Sequence, residues 1–165
     1  MTERVHFIPV GFDFERLIYP ISQGQMEADR VVLITHEGDP DDEATNKAAQ
    51  LASNMTRRLE DSFKLIDVEV QRESIDIEGM FDYETLYPRA YDYIRDERQA
   101  GNEVFVNISS MPRTVAFAFA TAADSIIAEF QEDMGEIRDR LHTYYVSPDE
   151  YLVHRMMEVL ENAAD

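Results

Sequence analysis

The chain reads as one α/β domain, a mostly parallel sheet with helices on both faces. Three observations predict this. Short apolar runs alternate with amphipathic segments along all 165 residues. The runs are apolar throughout rather than at every second position, as expected of strands covered on both faces. The length suits a single domain of about 100–200 residues, and residues 1–165 are read as one unit.

Val5 to Val10 is the first such run, closed by Gly11. Asp13 to Met26 follows as a helix with Phe14, Leu17, Ile18 and Ile21 on one side, bent or broken at Pro20. Arg30 to Thr35 is the second strand, and His36 to Pro40 a loop. Asp41 is placed to cap a long helix to about Phe63, with Ala48, Leu51, Ala52, Met55 and Leu59 at helical spacing. Leu65 to Ser74 is the third strand. Asp82 to Ala100 is a helix turning Leu86, Ala90, Tyr93 and Ile94 inward, stopped by Gly101-Asn102. Glu103 to Asn107 is the fourth strand, Ile108 to Pro112 a tight loop, and Arg113 to Phe130 a helix apolar on all sides in its first three turns. An acidic connector, Gln131 to Asp139, leads to a fifth strand, Arg140 to Val146. Glu150 to Asn162 has helical spacing in Leu152, Met156, Met157, Val159 and Leu160. The alternation of strands and helices makes the fold Rossmann-like.

Composition limits the function. The net charge is −19, and the only lysines are Lys47 and Lys64. The acids are spread along the chain, not gathered in a tail. Such a surface suits molar salt, where the Debye length falls to about 3 Å and self-repulsion is screened. No basic stripe is available to displace counterions, so direct nucleic-acid binding by this domain is not expected. The sequence has no cysteine, hence no disulfide and no thiolate metal site. No apolar run reaches the ~18 residues of a membrane span, and Met1-Thr2-Glu3-Arg4 lacks the shape of a signal peptide. A cytoplasmic protein is expected, with neither cofactor nor metal.

In open α/β sheets ligands sit beyond the carboxyl ends of the strands, where the strand order reverses. This selects three loops: Gly11-Phe12-Asp13 with Arg16 nearby, Thr35-His36-Glu37-Gly38, and Asn107 through Arg113. In the last, Ser109 or Ser110 can cap the following helix, and Pro112 suits its first turn. The unpaired N–H groups at such a start favour phosphate. Arg113 adds a cation and Thr114 a hydroxyl. Gly11 lets backbone approach a ligand. A helix start capped by Ser and Pro is equally compatible with a purely structural role, as is an Arg16 held in a surface ion pair. No GxGxxG, GxxxxGK[ST], GxSxG or HExxH is present, and Ser109 has no evident base beside it. The helix Val115 to Ala123, apolar all round, packs one side on the sheet and has the other covered by neighbouring helices or by a second subunit; its small alanines let a partner approach closely, and a homodimer is expected.

Three stretches carry a resemblance: Val5 to Asp13 with Arg16; Asn107-Ile108-Ser109-Ser110-Met111-Pro112-Arg113-Thr114; and His142-Thr143-Tyr144-Tyr145. They resemble, across essentially the whole chain, a haloarchaeal family of transcriptional regulators. Its members have an N-terminal CARF-like domain (CRISPR-associated Rossmann fold) and a C-terminal winged helix. The resemblance implies a dimer binding a cyclic oligoadenylate across its two-fold axis, through the loops after the first and fourth strands. Asn107, Ser109 and Arg113 fill the polar positions of the wider CARF pattern. Ser110 and Met111 stand where that pattern has two glycines, which narrows backbone access. No winged helix follows residue 165, so an isolated sensor domain, or one cut from a regulator, is expected. The implied ligand-binding set is Gly11, Phe12, Asp13, Arg16, Thr35, His36, Asn107, Ser109, Ser110, Met111, Arg113 and Thr114. Two other readings are a metal-independent ring nuclease, with Ser109, Ser110 and Arg113 positioning a ribose hydroxyl, and a dimerisation domain without ligand.

Overall fold

The computed structural model describes residues 2–38, 41–76, 79, 81–109, 113–129 and 140–156. The expected architecture is present. Six strands form one sheet in the order β3-β2-β1-β4-β5-β6: β1 Arg4–Pro9, β2 Arg30–Glu37, β3 Glu69–Asp76, β4 Glu103–Asn107, β5 Leu141–Val146 and β6 Val153–Arg155. The first five are parallel, and β6 runs antiparallel to β5.

The helices are α1 Phe14–Ser22, α2 Glu43–Leu65, α3 Tyr83–Gln99 and α4 Arg113–Glu129. Strand alternation sends side chains to two cores. Val5 and Phe7, with Val32, Ile34, Val104 and Val106, pack against Leu86, Ala90 and Ile94 of α3 and Val115, Phe119 and Ala122 of α4. Ile8, Val31 and Leu33 pack on the other face against Leu17 and Ile18 of α1 and Leu59 and Phe63 of α2. The mostly apolar β1, β2 and β4 follow from this double coverage, whereas β3 at the sheet edge is mostly polar.

Four expectations need correction. Leu65 does not start β3. It ends α2 and is 86% exposed. Asp67 there adopts φ 60, and Val68 N–H donates to Phe63 O at 3.0 Å, turning the chain into the strand. Leu51 is exposed, because the sheet-facing stripe of α2 runs through Ala52, Leu59 and Phe63. The cap of α2 is Asp42, whose carboxylate accepts from Ala44 N–H at 3.0 Å, and not Asp41. Helix α1 stops at Ser22, two residues after Pro20, short of Met26.

The largest correction lies at the end of the described chain. Val153–Arg155 is a strand, not helix. Ser147 holds the turn: its N–H donates to Leu152 O, its Oγ accepts from Leu152 N–H, and its carbonyl accepts from Tyr151 N–H. Gln25 then takes the place of a neighbouring strand, accepting from Val153 N–H at 2.9 Å and donating to Tyr151 O at 2.7 Å. The rest of the expected helix, residues 157–162, lies outside the described residues, as does the connector 131–139.

Candidate functional site

Strand order reverses between β1 and β4. β1 feeds α1 on one face and β4 feeds α4 on the other, so the two loops diverge and leave a crevice. Sheet pairing continues one residue beyond β1, since Val10 N–H donates to Ile34 O at 2.8 Å. Gly11 is buried, its φ lies outside the left-handed region, and Phe12 projects 64% exposed. Asp13 occupies the N-cap of α1 without a side-chain cap bond, and its carboxylate lies 3.9 Å from Arg16 Nε.

Arg16 is more than a surface ion pair. Its Nε donates to Val146 O at 2.7 Å, and its guanidinium carbon sits 5.5 Å from the centre of the Tyr145 ring. The side chain is only 17% exposed. The two terminal nitrogens carry the remaining four donors of the fork.

Asn107, the last residue of β4, is wholly buried. Its Nδ2 donates to Arg16 O at 3.2 Å and its Oδ1 accepts from Ser109 N–H at 2.9 Å. Ser109 Oγ accepts from Val146 N–H at 2.7 Å, and Ile108 N–H donates to Tyr144 O at 3.0 Å. Thus the ends of β1, β4 and β5 are sewn together: Val146 offers its carbonyl to Arg16 and its N–H to Ser109, and Asn107 joins the two loops beneath.

A buried polar chain continues from here. Tyr144 OH lies 3.1 Å from His6 Nδ1, and His6 Nε2 lies 3.0 Å from Glu27 O. A carbonyl can only accept, so Nε2 carries the imidazole proton and Nδ1 accepts from Tyr144. The His6 ring stacks on Phe105 at 4.4 Å, and Phe105 on His142 at 4.7 Å. Burial first, and the nearby Arg155 second, push the His6 pKa down to about 3. Burial raises that of Tyr144, which opposes the Asn107 hydrogen bond to it.

The other expected site residues separate into groups. Arg113 is exposed at the first position of α4, with Thr114 half-buried after it. Ser110 and Met111 lie outside the described residues. Thr35 and His36 lie near the end of β2, which runs on to Glu37 where a loop from His36 was expected, and Thr35 is buried with its Oγ1 accepting from Thr56 Oγ1 of α2 at 3.2 Å. Burial lowers the pKa of the half-buried His36. Sequence reasoning missed Val146 and Tyr145. Their signal was available in the order of strands: once β5 is placed beside β4, its carboxyl end must border the crevice. Among the described residues no group of three His, Asp or Glu side chains is placed to hold a metal, and no helix is long and apolar enough to cross a membrane.

The family model described as "HFX_2341_N:-like, N-terminal" matches residues 4–151. No curated protein matches the chain. Several solved structures share the fold. Can2 from Sulfobacillus thermosulfidooxidans, in complex with cyclic tetra-adenylate, aligns with TM-score 0.64 and 12% identity, covering 93% of this chain and 34% of that one. Enterococcus italicus Csm6, bound to cyclic hexa-2'-fluoro-hexa-dAMP, gives 0.59 and 16%, covering 92% and 35%. Protein VC1899 from Vibrio cholerae gives 0.68 and 14%, covering 93% and 33%. The chain thus spans about a third of each of these proteins, and identities this low speak for the fold alone.

Proposed function

The chain belongs to the HFX_2341_N-like N-terminal family, and from that premise we propose that it is a CARF-like sensor domain that binds a cyclic oligoadenylate as a homodimer. The observation that carries this reading is the hydrogen-bonded closure of the β1, β4 and β5 ends by Arg16, Asn107 and Ser109 at the strand-order switch. Two arginines border that switch, Arg16 held by Val146 and Arg113 exposed at the start of α4. On a chain of net charge −19, cations at one sheet end select a compact anion rather than a long polyanion. Two solved structures of this fold hold cyclic adenylates, which supports the same ligand class.

In this reading Arg113 and the N-terminal turn of α4 take phosphate, Gly11 and Phe12 form the facing wall, and Asn107 positions both loops without touching ligand. Ser110 and Met111, which lie outside the described residues, are the remaining ligand-binding candidates of this stretch. The exposed side of α4, where Phe117 remains 64% exposed, is the dimer surface. In a longer chain, ligand shifts the dimer geometry and through it a DNA-binding domain.

Thermal unfolding in molar salt against cyclic di-, tetra- and hexa-adenylate, linear nucleotides and inorganic phosphate tests this. Ligand at 100 times its Kd stabilises by about 2.7 kcal/mol. A shift with one cyclic adenylate alone is expected, and equal shifts with phosphate, or none with any cyclic adenylate, contradict the reading. Chromatography of the incubated ring distinguishes binding from slow cleavage.

A further inference from the structure

A second cleft of about 380 Å³ opens at the carboxyl ends of β2 and β3, under the first turns of α2. It is built by loops and strands other than β1 and β4. Its walls are Thr35 on β2, Arg72 and Ser74 on β3, and Asn46, Gln50 and Ser53 on α2. The α2 residues sit at i, i+4 and i+7, the spacing of one helix face. Further along, α2 turns Ala52, Leu59 and Phe63 to the sheet, all buried. Only its first turns set amides and a hydroxyl over strand positions that are themselves hydroxylated. Thr35 and Ser74 are direct partners across the β2–β3 register, so their side chains share one face.

Ser74 Oγ is buried and has no hydrogen-bond partner among the described residues. A buried hydroxyl without a partner is costly unless something else meets it. Among the described lining residues no cation is left unpaired, which disfavours an anionic ligand. The Arg72 guanidinium is bonded to Glu60 of α2, and Glu37 stands at the rim. Among the described residues the aromatic ring that lines the cleft is the imidazole of His36, whose Nδ1 is buried without a hydrogen-bond partner, and no tyrosine, phenylalanine or tryptophan offers a nucleobase a wider platform. Hydroxyls and amides offer donors and acceptors in mixture.

We infer that this cleft is a binding site for a small uncharged polyol, with Ser74 and Gln50 as its hydrogen-bonding residues. Thr35 and His36 also belong to the ligand set that the family resemblance implies, and the polyol titration tests this cleft apart from the cyclic-adenylate reading. Backbone amide NMR of the whole chain, titrated with D-glucose and myo-inositol and with inorganic phosphate as control, tests it. The expected result is a saturable shift of the amides of residues 35–38, 46–53 and 72–74 with a polyol, and none with phosphate. Ser74→Ala and Gln50→Leu are each expected to weaken it by about five-fold, the loss of roughly one hydrogen bond. Ser74→Ala removes a hydroxyl that has no partner among the described residues, so its fold is expected to hold, and an unchanged amide spectrum verifies that. Unsaturable drift with both polyols overturns the inference, as does saturation by phosphate or binding indifferent to both variants.

Discussion

At the residue scale the site is a matter of who holds whom. Asn107, Ser109 and Arg16 stood out in the sequence because they flank the switch point, and the structure brings them together. Their partners were not legible. Nothing in the local pattern of Val146 says that its backbone bonds both Arg16 and Ser109, because that contact spans more than a hundred residues for the arginine. Arg16→Ala removes a charge-assisted hydrogen bond and a ring contact. It is expected to cost about 1–3 kcal/mol in chemical unfolding, and Arg16→Lys, lacking the planar fork, to recover little of it. A fully stable Arg16→Ala protein would deny Arg16 its positioning role.

His6 yields a pH prediction with a definite sign. Its folded pKa of about 3 lies below the ordinary 6.5, so below pH 6.5 the unfolded chain binds a proton that the folded chain refuses. Stability contributed by the neutral ring is therefore complete above pH 6.5 and is lost as pH falls towards 3, at up to about 1.4 kcal/mol per pH unit. His6→Phe keeps the stacking and removes the titration. It is expected to be less stable at pH 7, since Tyr144 and Glu27 lose their partner, and to flatten the slope between pH 6.5 and 5. A slope unchanged in His6→Phe would assign the acid sensitivity to other groups.

At the element scale, sequence periodicity located every strand of the parallel sheet and all four described helices, with shifts at their ends. It failed where two periods compete. Leu152 and Met156 lie four apart and read as a helical stripe, yet both are exposed, and the chain instead pairs Val153 with Val146. What decides between them is non-local: Gln25 supplies a donor and an acceptor, and Tyr19 meets Tyr151 edge-on at 5.1 Å. Tyr151 adopts φ 54, a conformation that suits a turn and not a helix. Gln25→Ala is expected to raise amide exchange of Val153 to Arg155 while leaving β1 and β4 protected. Equal exchange in both proteins would mean that β6 does not depend on Gln25.

At the scale of the whole molecule, net charge and fold pull in different directions. A charge of −19 repels itself in the compact state, and raising salt from 0.1 M to 1 M shortens the Debye length from about 10 Å to about 3 Å. The melting temperature is therefore expected to rise steeply with potassium chloride, and a flat response would remove salt adaptation from the account. The uncovered side of α4 belongs to the same scale. Phe117→Ser is expected to weaken self-association in sedimentation at least ten-fold, the order expected when an apolar anchor is lost from an interface. The parallel sheet and its two faces could be read from sequence because burial writes itself into composition. What meets the exposed side of α4, where Phe117 is 64% exposed, is not fixed by the apolar pattern, from which a homodimer is only an expectation.

The most direct test is calorimetric titration of the chain with cyclic tetra-adenylate in molar salt, beside the Arg113→Ala variant. The account predicts one ring bound per two chains, and at least about ten-fold weaker binding when the exposed cation at the start of α4 is gone, near 1.4 kcal/mol. Absence of heat with cyclic tetra- and hexa-adenylate alike would contradict it, as would binding that Arg113→Ala leaves untouched.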